Sequence, residues 1–360
     1  AAGPRAPPGS AADALMRGPS DAGGLEGILA VQAAALAVGC HSGLRAARAA
    51  GECCRGLDAA LREALPSLRS MSTRQICVCG GYSRGGALSS AALFDPGTST
   101  WETLPSMAFE RRGACAAALG GRLYVCGGRD GRGAMCEAER FDPNARAWEA
   151  LPPMRLARGG AALAAAAGTL HVCGGSADGQ HVVASAERLC PERPACEWEV
   201  LPSMARGRGM HVACGAGGSV YACGGYDSWG HAMRSVEKFD PRAGTWTPTA
   251  PMLETRVRAA AALCNSRLFV CGGFSGRLAL ATVEVLDPET DTWQAAAPML
   301  LCRDSAVAVC AGGCIYVFGG QDFGKPTTTF EVCDPKLGTW SSLSELQEAM
   351  LSAAAGAVAC

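Results

Sequence analysis

Two hydrophobic rhythms divide the chain. From Leu44 to Leu65 the apolar or small residues Leu44, Ala47, Gly51, Cys54, Leu57, Leu61 and Leu65 return every three or four positions, which predicts a helix ended by Pro66. Leu25–Val38 reads as an earlier helix. From about Gln75 onward the rhythm changes to short apolar runs broken by paired glycines and by proline. One such unit runs from Gly113 to Pro153. Gly113–Leu119 is small and apolar, Gly120-Gly121 makes a turn, and Arg122–Cys126 is an apolar run ending at Gly-Gly. After a loop, Glu139–Phe141 stops at Asp-Pro, because proline cannot donate to a ladder, and Trp148–Leu151 stops at Pro152-Pro153. Four short strands per unit are predicted.

The unit repeats. Gly-Gly stands at Gly80, Gly127, Gly174, Gly224, Gly272 and Gly319, in steps of 47, 47, 50, 48 and 47 residues. A tryptophan follows each pair (Trp101, Trp148, Trp198, Trp246, Trp293, Trp340). Between them lies Asp-Pro, replaced by Cys190-Pro191 in the third unit, with Glu139, Glu187, Glu237, Glu284 or Glu331 three residues before that slot and Ala92 in the first unit. Met follows five of the tryptophans by six residues and Arg by ten (Arg111, Arg158, Arg208, Arg256, Arg303). Four antiparallel strands at this spacing form one blade of a propeller, and six units form a ring.

Gly-Gly, Glu-x-x-Asp-Pro, Trp, Pro-x-Met and Arg together resemble the kelch repeat, over about Gln75 to Cys360. The resemblance implies an all-β fold, a six-bladed kelch β-propeller in which each Trp and Glu has a packing role; the short helical segment read from the periodicity precedes it. The first Gly-Gly strand, Gln75–Cys79, lacks a small apolar strand before it, and Ser352–Ala359 supplies one at the other end. The C-terminus is therefore expected to give blade one its innermost strand, removing open edges. The resulting organisation is 1–24, an Ala/Gly/Pro-rich segment expected to be disordered; 25–70, helical; and 71–360, the propeller. Leu25-x-x-Ile28-Leu29 and the run from Leu44 to Leu57 are loosely similar to the later two thirds of an F-box, without its Leu-Pro opening and with Cys54 where an aromatic is usual; the alternative is a helical linker or the end of a larger upstream domain. The chain starts at Ala1 rather than Met, which leaves room for residues upstream.

Composition narrows the function. A net charge of −1 argues against a nucleic-acid or anionic-membrane partner, both of which need a cationic excess. No apolar run is long enough to cross a bilayer. Of the 20 cysteines, Cys79, Cys126, Cys173, Cys223 and Cys271 each precede a Gly-Gly, and Phe318 takes that slot in the sixth unit. One repeated slot that also accepts Phe asks for packing, so these are read as buried, reduced thiols of a cytoplasmic protein, with the nucleus as a second location. Cys77-x-Cys79 and Cys310-x-x-x-Cys314 lie in strand or turn slots without a nearby histidine, and the five histidines are scattered, so no metal site is expected. There is no G-x-S-x-G and no phosphate loop of the Walker type. No cofactor and no catalysis are expected.

What remains is a rigid ring presenting loops, where function is expected to lie. One set follows each Gly-Gly and carries Tyr82, Arg129, Tyr226, Trp229, His231, Phe274 and Phe323; the other joins blades and carries Arg112, Arg206, Arg258 and Arg303. These eleven are the candidate partner-binding residues. Trp229 stands outside the repeat register, and tryptophan is enriched at binding hot spots. Arg112, Arg206 and Arg258 also break the pattern, and guanidinium forks suit carboxylates, so a protein or peptide ligand of acidic character is expected. Resemblance to kelch adaptors implies substrate recognition for a cullin-RING ubiquitin ligase, with a cullin or its adaptor as partner. A cytoskeletal or scaffolding kelch protein is the alternative reading, and a propeller enzyme a third.

Overall fold

A computed structural model describes residues 75–83, 86–322, 324–343 and 351–358. The segments 1–24 and 25–70 and the candidate Phe323 lie outside the described residues.

Within them every regular element is a strand, and six four-stranded antiparallel sheets account for the repeat. Blade two is Cys115–Leu119, Arg122–Cys126, Ala138–Asp142 and Ala147–Leu151, in sequence order from the axis outward. Blades three to six repeat that order, beginning at Ala162, Val212, Ala260 and Val307. In blade one the innermost strand is Ala354–Val358, paired in register with Gln75–Cys79 from Gln75↔Val358 to Cys79↔Ala354. The innermost strands of successive blades contact one another all the way round, including that of blade six against Ala354–Val358.

The gradient of side chains follows from the geometry. Inner strands crowd one another at the axis, so they are built of Ala, Gly and small residues; a Cβ on Gly215 would run into the Ala165 carbonyl of the preceding blade. Second strands are covered on both sides and read as continuous apolar runs, such as Arg-Leu-Tyr-Val-Cys over Arg122–Cys126. Outer strands are largely solvent-facing and polar. The five cysteines before Gly-Gly are all buried. The paired glycines are required by conformation and by space: Gly80 has φ 63°, and a Cβ there would lie 2.8 Å from the Arg111 carbonyl oxygen.

The tryptophans of blades two to six each hold their blade to the previous one, whereas the Trp101 indole nitrogen of blade one has no hydrogen-bond partner among the described residues. The indole N–H of Trp148, Trp198, Trp246, Trp293 and Trp340 donates at 2.9 Å to a backbone carbonyl at the end of the preceding blade (Pro105, Pro152, Pro202, Ala250 and Ala297). At one end of the axis the backbone makes a circle. The N–H groups of Gly160, Met210, Arg258, Ser305, Ser352 and Gly113 each donate to the carbonyl of the equivalent residue one blade back, over 2.8–3.1 Å. All six residues have φ between 52° and 64°, although only two are glycine.

Candidate functional site

The two loop sets meet on one face, the face of that backbone circle. The residue after each Gly-Gly forms a bridge with the residue after each arginine slot: Tyr82↔Leu351, Arg112↔Arg129, Gly159↔Ser176, Gly209↔Tyr226, Val257↔Phe274 and Asp304↔Gln321. Inside this ring lies a shallow depression of about 100 Å³ at the channel mouth, lined by the circle residues with Ala114, Ala161, His211, Ala259, Ala306 and Ala353.

The repeated arginines do not belong to this surface. Arg303 is fully buried, and this corrects its assignment as a partner-binding residue. Its guanidinium donates to Glu331 Oε1 at 2.9 Å, to the Gly319 and Thr329 carbonyls at 2.7 Å, and to Thr329 Oγ1 at 2.8 Å. Arg111, Arg158, Arg208 and Arg256 are buried in the same way against Glu139, Glu187, Glu237 and Glu284. Each glutamate also accepts from the N–H groups of the incoming loop, as Glu237 does from Ala205 at 2.6 Å. The arginine and glutamate slots of the repeat are thus two halves of one clasp that ties each inter-blade loop to the next blade. The Arg303 guanidinium, buried with each of its three nitrogens bonded inside the clasp, offers nothing to a ligand.

The other described candidates do reach the face. Arg112 is exposed, with its guanidinium 5.3 Å from the ring centre of the exposed Tyr82. Arg129 is half-buried and runs along Gly159 to the blade-three loop at Gly179. Arg206 is exposed, while its own N–H is taken by Glu237. Tyr226 is half-buried, packed against Gly209. Trp229 and His231 are exposed on one turn closed by Asp227, whose Oδ1 accepts both of their N–H groups at 2.9 Å. Arg258 belongs to the backbone circle, which accounts for its place two residues past Arg256. Its side chain lies 3.5 Å from Asp304 and 5.7 Å from the centre of the half-buried Phe274.

The acids of these loops are spent on their own backbone. Asp130 accepts the N–H groups of Arg132 and Gly133 at 2.7 and 2.8 Å, and those bonds hold its carboxyl below the usual range. Asp178 is held lower still, by His181 Nδ1 at 2.6 Å and by the N–H groups of His181 and Gln180. These carboxylates close turns, so Arg112 and Arg129 are in no ion pair among the described residues.

One thiol–imidazole pair borders the depression: Cys173 Sγ lies 3.3 Å from His211 Nε2. Burial pushes the thiol up to about 12 and the imidazole down to about 3, so both stay neutral and no thiolate nucleophile forms. Among the described residues no group of three or more His, Cys, Asp or Glu is arranged to hold a metal ion.

Sequence reasoning missed the circle slot and the exposed leucines of the inter-blade loops. The circle was legible as a position two residues past each repeated arginine, but its occupants (Gly, Gly, Met, Arg, Ser) share only a backbone conformation. Leu253 and Leu300 follow the repeated methionines and read as part of the apolar pattern.

Residues 160–360 match the family model of the KLHDC2/KLHL20/DRC7 Kelch-repeats domain, and residues 74–108 and 110–155 match the Kelch motif. The solved "Structure of YjhT" is similar at a TM-score of 0.64 and 14% identity, over 76% of this chain and 95% of that one, a likeness of fold alone. No curated protein sequence matches.

Proposed function

The chain belongs to the kelch-repeat family, and from that premise we propose that its propeller recognises substrates for a cullin-RING ubiquitin ligase, reading a protein or peptide of acidic character on the face that carries the backbone circle. Kelch propellers generally bind proteins, and the coarser function, a protein-interaction propeller, follows from the family. The observation that carries the finer reading is the content of that face: exposed aromatic and apolar side chains beside guanidinium groups that no carboxylate of the described residues neutralises. In this reading the 71–360 propeller is the recognition unit, 25–70 is the segment through which the ligase connection is made, and the innermost strand of blade one comes from the C-terminus. The protein works in the cytoplasm or nucleus, where buried unpaired thiols persist, and is not an enzyme.

Affinity purification of the tagged chain from cells with mass spectrometry tests this. Recovery of a cullin with its adaptor supports the ligase reading. Recovery of cytoskeletal proteins without a cullin turns the reading to a scaffold.

A further inference from the structure

The bridge between Arg112 and Arg129 stands apart from the other five. Arg112 N–H donates to the Arg129 carbonyl at 3.0 Å, and Arg129 N–H returns to the Arg112 carbonyl at 2.9 Å. Residues that exchange both bonds send their side chains to the same side of the bridge, and like charges so placed repel. Each of the other bridges contains at most one charged residue. Arg112 is steadied by the face of Tyr82 and Arg129 by a bed of glycines, Gly159 and Gly179. Neither arrangement neutralises charge, so the site holds two adjacent cations whose repulsion an anion would relieve.

Further round the same face the chemistry turns apolar. Trp229, Leu253, Leu278 and Leu300 are 81%, 51%, 49% and 57% exposed. Their loops are joined: a Cβ on Gly276 would touch Ala232 at 3.5 Å, Thr255 Oγ1 donates to the Ser275 carbonyl at 2.8 Å, and Arg303 N–H donates to the Leu280 carbonyl at 3.0 Å. The position after the repeated methionine is leucine only at these two inter-blade loops; elsewhere it is Ala108, Arg155 and Ala205. Nothing in the blade packing needs large apolar side chains there, since they point to solvent.

We propose that this face takes a two-part segment of a partner protein, with acidic side chains over Arg112 and Arg129 and apolar side chains over Trp229, Leu253, Leu278 and Leu300. This rests on reading the face as the interaction surface, and adds the polarity of what it binds. The charge is complementary at one end, and the exposed apolar area is covered at the other, so neither a uniformly acidic nor a uniformly apolar peptide satisfies both.

The test is selection of a random peptide library displayed on phage against the purified full chain, with parallel selections on Arg112→Glu/Arg129→Glu and on Trp229→Ser/Leu300→Ser. All four side chains lie on the loop face, and thermal melts verify that the variants fold; Arg129→Gln is the milder alternative. Enriched peptides are expected to carry an acidic block separated from an apolar block. A synthetic copy should lose at least tenfold in affinity on either variant, and the charge-reversed protein should select a basic block with the apolar block retained. Enriched peptides without that division, or equal affinity for wild type and both variants, would overturn the two-part site while leaving a peptide-binding propeller. No enrichment at all would count against the peptide-binding face itself.

Discussion

In blade four, Glu237 accepts from Arg208 Nη2 at 3.0 Å and from the Ala205 N–H at 2.6 Å, with both side chains buried. In blade one the glutamate slot holds Ala92, and the position ten residues after Trp340, where the other units have arginine, holds Met350. Both halves of the clasp are gone together. What stands at that seam instead is aromatic. Phe94 and Trp101 of blade one pack on Phe318 and Phe330 of blade six, with ring centres 5.2–6.0 Å apart. Phe318 occupies the slot that is cysteine in the other five blades, and Phe330 one that is Ala or Val. The comparison teaches why the loss is paired. Exchanging a whole buried ion pair for well-packed apolar groups is neutral or stabilising, whereas removing one partner strands a charge and costs about 3–5 kcal/mol.

The comparison breaks most completely if blade one is not closed by its terminal strand. Deleting Ala353–Cys360 removes the strand paired with Gln75–Cys79 and leaves Ser352, whose backbone closes the circle between Ser305 and Gly113, as an untethered terminal residue. The expected outcome is loss of cooperative unfolding of the whole propeller, followed by thermal melts and hydrogen exchange. A truncated chain with the wild-type melt would show that the ring does not depend on this strand.

Next come the seams themselves. Glu237→Ala should cost about 3–5 kcal/mol, because Arg208 is left buried without its anion. Adding Arg208→Met, which copies the blade-one solution, should recover at least about 1 kcal/mol of that loss. Phe330→Ala should cost a similar 3–5 kcal/mol through the cavity it opens, with no partner mutation able to restore it. Urea midpoints decide. If the two blade-four effects simply add, arginine and glutamate are not one device.

Much of this fold was legible because a ring repeats its constraints. Gly-Gly recurs where every blade needs the same close approach, and Trp and Glu recur where blades two to six share an indole donor and a clasp, so the noisy copies average to a clear pattern. The same repetition misled at Arg303. A recurring arginine between blades resembles a recurring surface cation, and only the burial of its partner Glu331 distinguishes the two. The face itself was partly readable. Arg112, Arg258 and Trp229 stood out by breaking the repeat, but the Arg112–Arg129 bridge joins residues 17 positions apart through a loop register that composition does not encode.

A smaller difference between seams is their response to acid. The slot after the circle residue is alanine in five blades, including Ala353 in blade one, and His211 in blade four. Burial holds His211 down to about 3, against an ordinary value near 6.5. The unfolded chain therefore binds the proton first, and stability falls as pH drops from about 6.5 toward 3. At pH 5 the loss is roughly 2 kcal/mol from this group. His211→Ala, which copies blade one, should flatten the dependence of the melting temperature between pH 7 and 5 while lowering its plateau. An unchanged slope would place the proton-binding group elsewhere; His171, held down to about 4 by burial, is the next to examine.

The smallest expected effect probes the circle at blade one. Ser352 holds φ 52° while donating to Ser305 at 2.9 Å and accepting from Gly113 at 3.1 Å. A non-glycine residue in the left-handed region costs roughly 1–2 kcal/mol, and glycine gives back about 0.5–1 kcal/mol through the freedom it adds to the unfolded chain. Ser352→Gly should therefore stabilise the propeller by up to about 1 kcal/mol, a small rise in urea midpoint at constant slope. Gly113 and Gly160 already use this solution on the adjoining blades. Met210→Gly would not be equivalent, because the Met210 side chain packs on Gly160. If Ser352→Gly lowers the midpoint instead, residue 352 is not held left-handed in solution. The circle would then be open at blade one, and the aromatic seam and the inner-strand contact with Ala354–Val358 would join blade six to blade one.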